Sequence, residues 1–323
     1  MSFRIRYSFL FGVGIFLIVI GIFLGPANLT IHQILDGLLF TGDGLGNTIV
    51  WSLRIPRIIV SLLAGGCLGL AGVLIQFSTR SSLGDANLFG VGGGGAIFVA
   101  LVYAGVLSFD QHGIFLGSVS CSVLVALLLA KFMTVTDITP IKFAIIGIAV
   151  GSLTITVGTS VISHAHVFPA QVIGLVSGSF TSSSWSVVYY LLPTLIFCVL
   201  GALILSAKFY PLMLGDTLSN SLGVDPTRTK FATMLLVGIL AGASVYAAGL
   251  IGFVGLTSPH IARKLFGNTP SHMILGSILI GGLITIFADQ IARLLVAPIE
   301  LPVSMATTVI GAPVMIYLAL KIK

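Results

Sequence analysis

The chain has 323 residues; 57% are hydrophobic, 7% are charged, and the mean hydropathy is +1.16. A soluble chain carries roughly 25% charged residues, so this one could not cover its surface in water, and a soluble enzyme is excluded. The net charge of +6 does not point to nucleic acid, because the basic residues are scattered singly between apolar runs instead of forming a patch.

About 20 apolar residues cross a bilayer. The length therefore accommodates roughly ten spans with short connections, and the expected fold is an all-α, polytopic transmembrane domain over residues 1–323. The first apolar run, about 7–25, follows Arg4 and Arg6 and stops at Gly25-Pro26-Ala27-Asn28. It reads as a retained span and not as a cleaved signal. The second span is placed at about 58–77, just after Arg54-Ile55-Pro56-Arg57. The third and fourth are at about 88–107 and 113–130. The uncharged stretch between Lys142 and Lys208 holds two, at about 142–163 and 187–207. The Ser- and Gly-rich 164–186 between them reads as a loop with a short helix. The last two spans are at about 273–293 and 303–320.

The stretch 231–266 fits either one span or two short ones broken near Gly249 to Gly252. Cytoplasmic loops carry excess Lys and Arg. With two spans, twelve of the fifteen basic residues fall inside and only Arg54, Arg57 and Arg293 fall outside. With one span the split is nine to six. The ten-span arrangement with both termini cytoplasmic is therefore preferred.

Glycine is abundant, at 39 residues. Gly65, Gly66, Gly69, Gly72, Gly92 to Gly95, Gly281 and Gly282 lie in the expected spans, where small residues allow close helix packing. A helix broken beside a pathway is the other reading. Cys67, Cys121 and Cys198 are far apart within apolar runs, and read as small core residues.

No Lys follows a Gly, so the chain lacks a P-loop, and any ATP must be hydrolysed by a partner. Nucleophile and metalloprotease motifs are likewise missing from the spans, which argues against an enzyme. Ion-coupled carriers keep ionisable groups near mid-membrane, and here the spans are almost empty of them. Asp289 lies four residues before Arg293, a spacing that allows the two to pair on one helix face. His164 and His166 stand at the outer end of the fifth span, either solvated or able to reach a metal or haem. His260 reads as structural, and His32 and His112 as lone loop residues.

Two polar segments stand out. Arg54 and Arg57 face outward against the charge bias, and Arg suits pairing with carboxylates. They are either interfacial anchors or a docking point. The segment 214–226 is the longest polar stretch inside, read as a short helix, a Gly stop and an Asp225-Pro226 helix start. It is either a connector or a docking surface for a cytoplasmic partner.

At these residues the chain resembles the FecCD family of ABC-transporter permeases, which import iron–siderophore complexes, haem and cobalamin. The strongest match is Gly252-Phe-Val-Gly-Leu-Thr-Ser-Pro-His-Ile-Ala-Arg263, followed by Ala288-Asp289-Gln-Ile-Ala-Arg293, Glu300-Leu-Pro302-Val and Ile310-Gly-Ala-Pro313. Earlier pieces are Arg54-Ile-Pro-Arg57, Gly72-Val-Leu-Ile-Gln76 and Asn87-Leu-Phe-Gly-Val91. The resemblance implies a multi-pass permease in a bacterial cytoplasmic membrane, paired with a second permease chain. It binds no cofactor of its own, and two ATP-binding cassette subunits use ATP. Those subunits would dock at Leu214, Gly215, Asp216, Leu218, Ser219, Leu222 and Gly223. An extracytoplasmic binding protein would dock through acidic residues on Arg54, Arg57 and Arg293. A cytoplasmic gate is implied at Ser81, Ser82 and Leu83 and at Thr139, Pro140 and Ile141. The chain departs from the family at Ser81 to Gly84, often Asn-Pro-Leu-Ala, and at Gly92 to Gly95. Ferric siderophore is the expected cargo, with haem or cobalamin as alternatives. An ion-coupled carrier working alone is the rival class.

Overall fold

A computed structural model describes residues 3–25, 29–40, 44–134, 140–164, 169–297 and 299–321. The described residues form helices and connections with no strand. In order the helices are α1 (Phe3–Phe23), α2 (Ile31–Leu39), α3 (Leu45–Thr48), α4 (Ile55–Thr79), α5 (Val91–Tyr103), α6 (Gln111–Thr134) and α7 (Pro140–His164). There follow α8 (Pro169–Ser177), α9 (Trp185–Leu214), α10 (Asp216–Ser221), α11 (Pro226–Ala248), α12 (Val254–Phe266), α13 (Pro270–Leu294) and α14 (Val303–Lys321).

Among the described residues, seven stretches are long and apolar enough to cross a membrane: Ile5–Phe23, Gly46–Thr79, Gln111–Thr134, Lys142–Val161, Trp185–Leu214, Pro226–Ala248 and Pro270–Leu294. The second differs from expectation. A π-helical turn, Ile49–Arg54, joins α3 to α4, so Arg54 and Arg57 sit within the helical run and not ahead of it. The third span is also shorter than the hydropathy suggests. Helix α5 has 13 residues, about 20 Å of rise, against about 30 Å of hydrocarbon. The ambiguous 231–266 stretch is broken at 249–253, between α11 and α12, as the charge bias requires.

Helix α4 is apolar on all sides and is the buried axis of the fold. Gly65, Gly69 and Gly72 lie on one face at a spacing of four and three residues. A Cβ on Gly65 would collide with Thr285 and the Gly281 carbonyl of α13. One on Gly69 would strike the Ser277 carbonyl, and one on Gly72 the Gly255 carbonyl of α12. The seam brings backbones together as small residues do in lipid. The Gly92 to Gly95 run is an unbroken part of α5 whose Cβ positions are filled by Asn87, Thr154, Cys121, Ser118 and Ser122. Close packing, and not a broken helix, accounts for it. Large apolar side chains elsewhere, such as Phe197, Leu200 and Ile204 on α9, remain exposed and suit lipid.

The bundle has two polar ends. At one, Arg6 donates to the Leu265 carbonyl and Tyr7 stacks on Phe266 at 4.2 Å. At the other, the end of α1 meets the π turn and the end of α13. His112 is not a lone loop residue: it lies in α6, and its Nδ1 is 2.8 Å from the Tyr190 hydroxyl.

Candidate functional site

The three arginines of the sequence reading converge at the second end. The π turn places Arg54 against α1, where its Nη1 donates to the Ile22 carbonyl at 2.5 Å; Arg54 is 4% exposed. Arg57, one turn on, reaches two carboxylates. Its Nε and Nη2 hold Asp289 at 2.8–3.2 Å, and its Nη1 and Nη2 hold Glu300 at 2.8 and 2.9 Å. Arg293 is 2% exposed and donates from Nη2 to the Gly21 carbonyl at 2.9 Å. All three line one recess of about 320 Å³, with Glu300, Phe180 and Thr181.

The expected Asp289–Arg293 pair is not what forms. Asp289 takes the guanidinium of Arg57 from α4, while Arg293 turns its own guanidinium to the Gly21 carbonyl at the end of α1. Glu300 was the missed member of this cluster, whereas Asp289 was singled out but with Arg293 as its partner. Both lie in motif pieces already singled out, and acids near the outward arginines were the signal available. The recess holds three guanidinium groups and two carboxylates, an excess of one positive charge. It can accept one further acidic group in a partly dehydrated setting.

The polar segment 214–226 folds into the short helix, Gly turn and Asp225-Pro226 helix start read from the sequence, and adds an anchor. Helix α9 ends at Leu214, and Gly215, at φ +121°, turns the chain into α10. Ser219 is buried and donates to the Pro211 or Gly215 carbonyl, each at 2.8 Å, so its work is structural. Gly223, at φ +78°, ends the segment, and Asp225 caps α11 through the Arg228 amide at 3.1 Å. Leu218 and Leu222 are 52% and 60% exposed, one helical turn apart, and Leu214 is exposed beside them.

Asp216 ties this segment to the bundle. It accepts from Lys230 Nζ at 2.8 Å and from Arg80, which also donates from Nε to the Leu212 carbonyl at 2.9 Å. Partial burial works to raise the Asp216 carboxyl, but Lys230 and Arg80 outweigh it and hold it below the usual carboxylate range.

The residues of the implied gate are placed unevenly. Ser81, Ser82 and Leu83 form the turn directly after Arg80, held by Ser81 Oγ accepting from the Leu83 amide at 3.3 Å. Pro140 and Ile141 open α7, while Thr139 lies outside the described residues. His164 ends α7, and His166 lies outside the described residues. Among the described residues, no three His, Cys, Asp or Glu side chains gather to hold a metal ion.

The profile of the FecCD transport family matches residues 13–321. The chain belongs to the FecCD transport family. Among its relatives is the Fe(3+)-citrate import system permease protein YfmD of Bacillus subtilis, 33% identical over 97% of this chain and 92% of that protein. The iron(3+)-hydroxamate import system permease protein FhuG of the same organism is 31% identical, covering 95% of each chain. The vitamin B12 import system permease protein BtuC of Vibrio parahaemolyticus is 30% identical over 83% of this chain and 82% of that one. A solved ABC transporter described as of metal-chelate type, in an inward-facing conformation, superposes with a TM-score of 0.82 at 25% identity over 99% of both chains. FecCD relatives are thus permeases of ABC importers, and this chain is a membrane-spanning permease of that type.

Proposed function

We propose that the chain is the permease subunit of an ATP-driven importer of ferric siderophores. The observation that carries this reading is α10. It is a short helix between two apolar spans, showing Leu218 and Leu222 outward and anchored by Asp216 to α4 and α11. Exposed leucines on a braced polar loop suit a soluble partner, and with no P-loop in the chain that partner is the ATPase. Two ATPase subunits and a second permease chain complete the assembly. Ten crossings with cytoplasmic termini follow if α5, α12 and α14 cross together with the seven long apolar stretches, and the twelve-to-three charge split supports that count. The membrane is the cytoplasmic membrane of a bacterium.

A binding protein delivers cargo at the arginine recess. An incoming carboxylate there meets Arg54 and Arg293 beside an Arg57 already engaged by Asp289 and Glu300. Iron-citrate and iron-hydroxamate relatives favour a ferric chelate; the vitamin B12 relative supports cobalamin as the second reading. Haem is the remaining alternative, and the ion-coupled carrier is the rival class.

The test is uptake by vesicles containing the chain with its ATPases and binding protein. Radiolabelled ferric citrate, a ferric hydroxamate, haem and vitamin B12 are offered in turn. ATP-dependent uptake of a ferric chelate is expected. Uptake by the chain alone, driven by an ion gradient, would overturn the importer reading.

A further inference from the structure

Helix α12 begins without a cap of its own. Its N-cap position is Phe253, at φ +67°, whose side chain accepts nothing. The first amides of a helix need an acceptor, and here the acceptor comes from another part of the chain. Asp85, 3% exposed, lies in the connection between α4 and α5, and its carboxylate accepts from the backbone amides of Gly255 and Leu256. The same carboxylate accepts from its own neighbours, Asn87 at 2.9 Å and Leu88 at 3.0 Å. A negative charge at a helix N-terminus is also favoured by the helix dipole. Among the described residues Asp85 has no ion pair, and backbone amides are the donors that face its carboxyl group.

The connection grips its surroundings at further points. Asn87 Nδ2 donates to the Ile251 carbonyl at 2.7 Å, inside the break between α11 and α12. Phe89 packs edge-on against Phe143 of α7, and a Cβ on Gly90 would collide with Gly151 of α7. At its start, Arg80 binds Asp216 and the Leu212 carbonyl, at either side of Gly215. Backbone bonds at Phe89, Gly90 and Val91 of 2.9–3.1 Å leave the segment little slack. Asp85, Asn87, Leu88 and Phe253 also line a cavity of about 350 Å³ shared with Ile155 of α7 and Ser304 of α14.

We propose that residues 80–90 are the transmission element of the permease, with Asp85 as the positioning residue that makes the start of α12 follow the α10 segment. The inference rests on the importer reading above. Movement of α10 pulls Arg80 through Asp216. Five residues later Asp85 carries that displacement to α12, while Phe89 and Gly90 carry it to α7. The wall of the cavity then moves with the ATPase.

The test is substrate moved per ATP hydrolysed, in proteoliposomes of the complete transporter, with the ferric chelate or vitamin B12 that the wild type carries. Asp85→Asn turns an NH2 group toward amide donors and is expected to lower the ratio roughly tenfold, as losing hydrogen bonds to a charged group does, with the ATPase still co-purifying. Arg80→Gln cuts the other end at a side chain 31% exposed and lowers the same ratio, while Arg80→Lys restores it. If Asp85→Asn does not accumulate, the Arg80 pair decides. An unchanged ratio in Arg80→Gln, or activity and transport falling in proportion, overturns the proposal. A wild-type chain that retains no ATPase overturns the importer reading instead, and the proposal with it.

Discussion

Arg57 on α4 holds Asp289 on α13 through three hydrogen bonds of 2.8–3.2 Å, although 232 residues separate them in the chain. Glu300 closes on the same guanidinium, so one cation serves two carboxylates at this end of the bundle. Removing one partner of a buried charge cluster costs about 3–5 kcal/mol. Arg57→Met is therefore expected to lower the thermal unfolding midpoint in detergent strongly, and Arg57→Lys less so. An unshifted midpoint in Arg57→Met would show that the cluster does not brace the fold.

The α4 seam gives a second prediction. Gly72→Ala sets a methyl into the Gly255 carbonyl and, as overpacking, should cost about 1–3 kcal/mol. Gly12→Ala on α1 is the control, since nothing lies within 4 Å of its Cβ position. It should be neutral or stabilise by about 0.5–1 kcal/mol from helix propensity. Unfolding in one detergent compares the two, and equal behaviour would remove the seam from the account.

Leu218→Glu and Leu222→Glu test the docking face. Both side chains are more than half exposed, so the chain should fold and insert normally. The ATPase should no longer co-purify, and ATP-dependent uptake should cease. Retained co-purification with intact uptake would move the docking surface elsewhere.

The Asp216 clasp sets a pH dependence. Its carboxyl is held below the ordinary value by Lys230 and Arg80. The clasp therefore contributes fully above the unfolded carboxylate value of about 3.9 and is lost as pH falls through the lower folded value. Between neutral pH and about 5, coupling should not change through this group. Asp216→Asn should lower transport per ATP across that whole range, without the acid-dependent step. A wild-type loss of coupling midway between neutrality and pH 5 would count against the clasp.

Hydropathy and charge bias made most of the helices legible, including the break near Gly249, because spans are written in long local runs. The half-length of α5 was not legible. The apolar run continues beyond Tyr103, and only the packing of Phe98 against Phe109 and the turn at Gly105 end the helix there. The arginines were singled out for sitting on the wrong side of the charge rule, yet their inward orientation was hidden. For Arg57 it depends on Asp289 and Glu300, more than 230 residues on, and for Arg54 and Arg293 on the Ile22 and Gly21 carbonyls at the end of α1. Asp85 went unremarked for the same reason, since the amide donors of Gly255 and Leu256 that its carboxylate accepts from lie about half the chain further on.

That separation bears on how the protein is made. Arg57 leaves the ribosome long before Asp289 and Glu300 exist, so α4 must enter the membrane carrying a cation with no permanent counter-ion. Its place in the first turn of α4 lets the long side chain extend along the helix toward water and lipid headgroups in the meantime. When α13 and Glu300 arrive, the guanidinium exchanges those transient contacts for two carboxylates, and the central helix becomes fixed against a segment made more than 200 residues later.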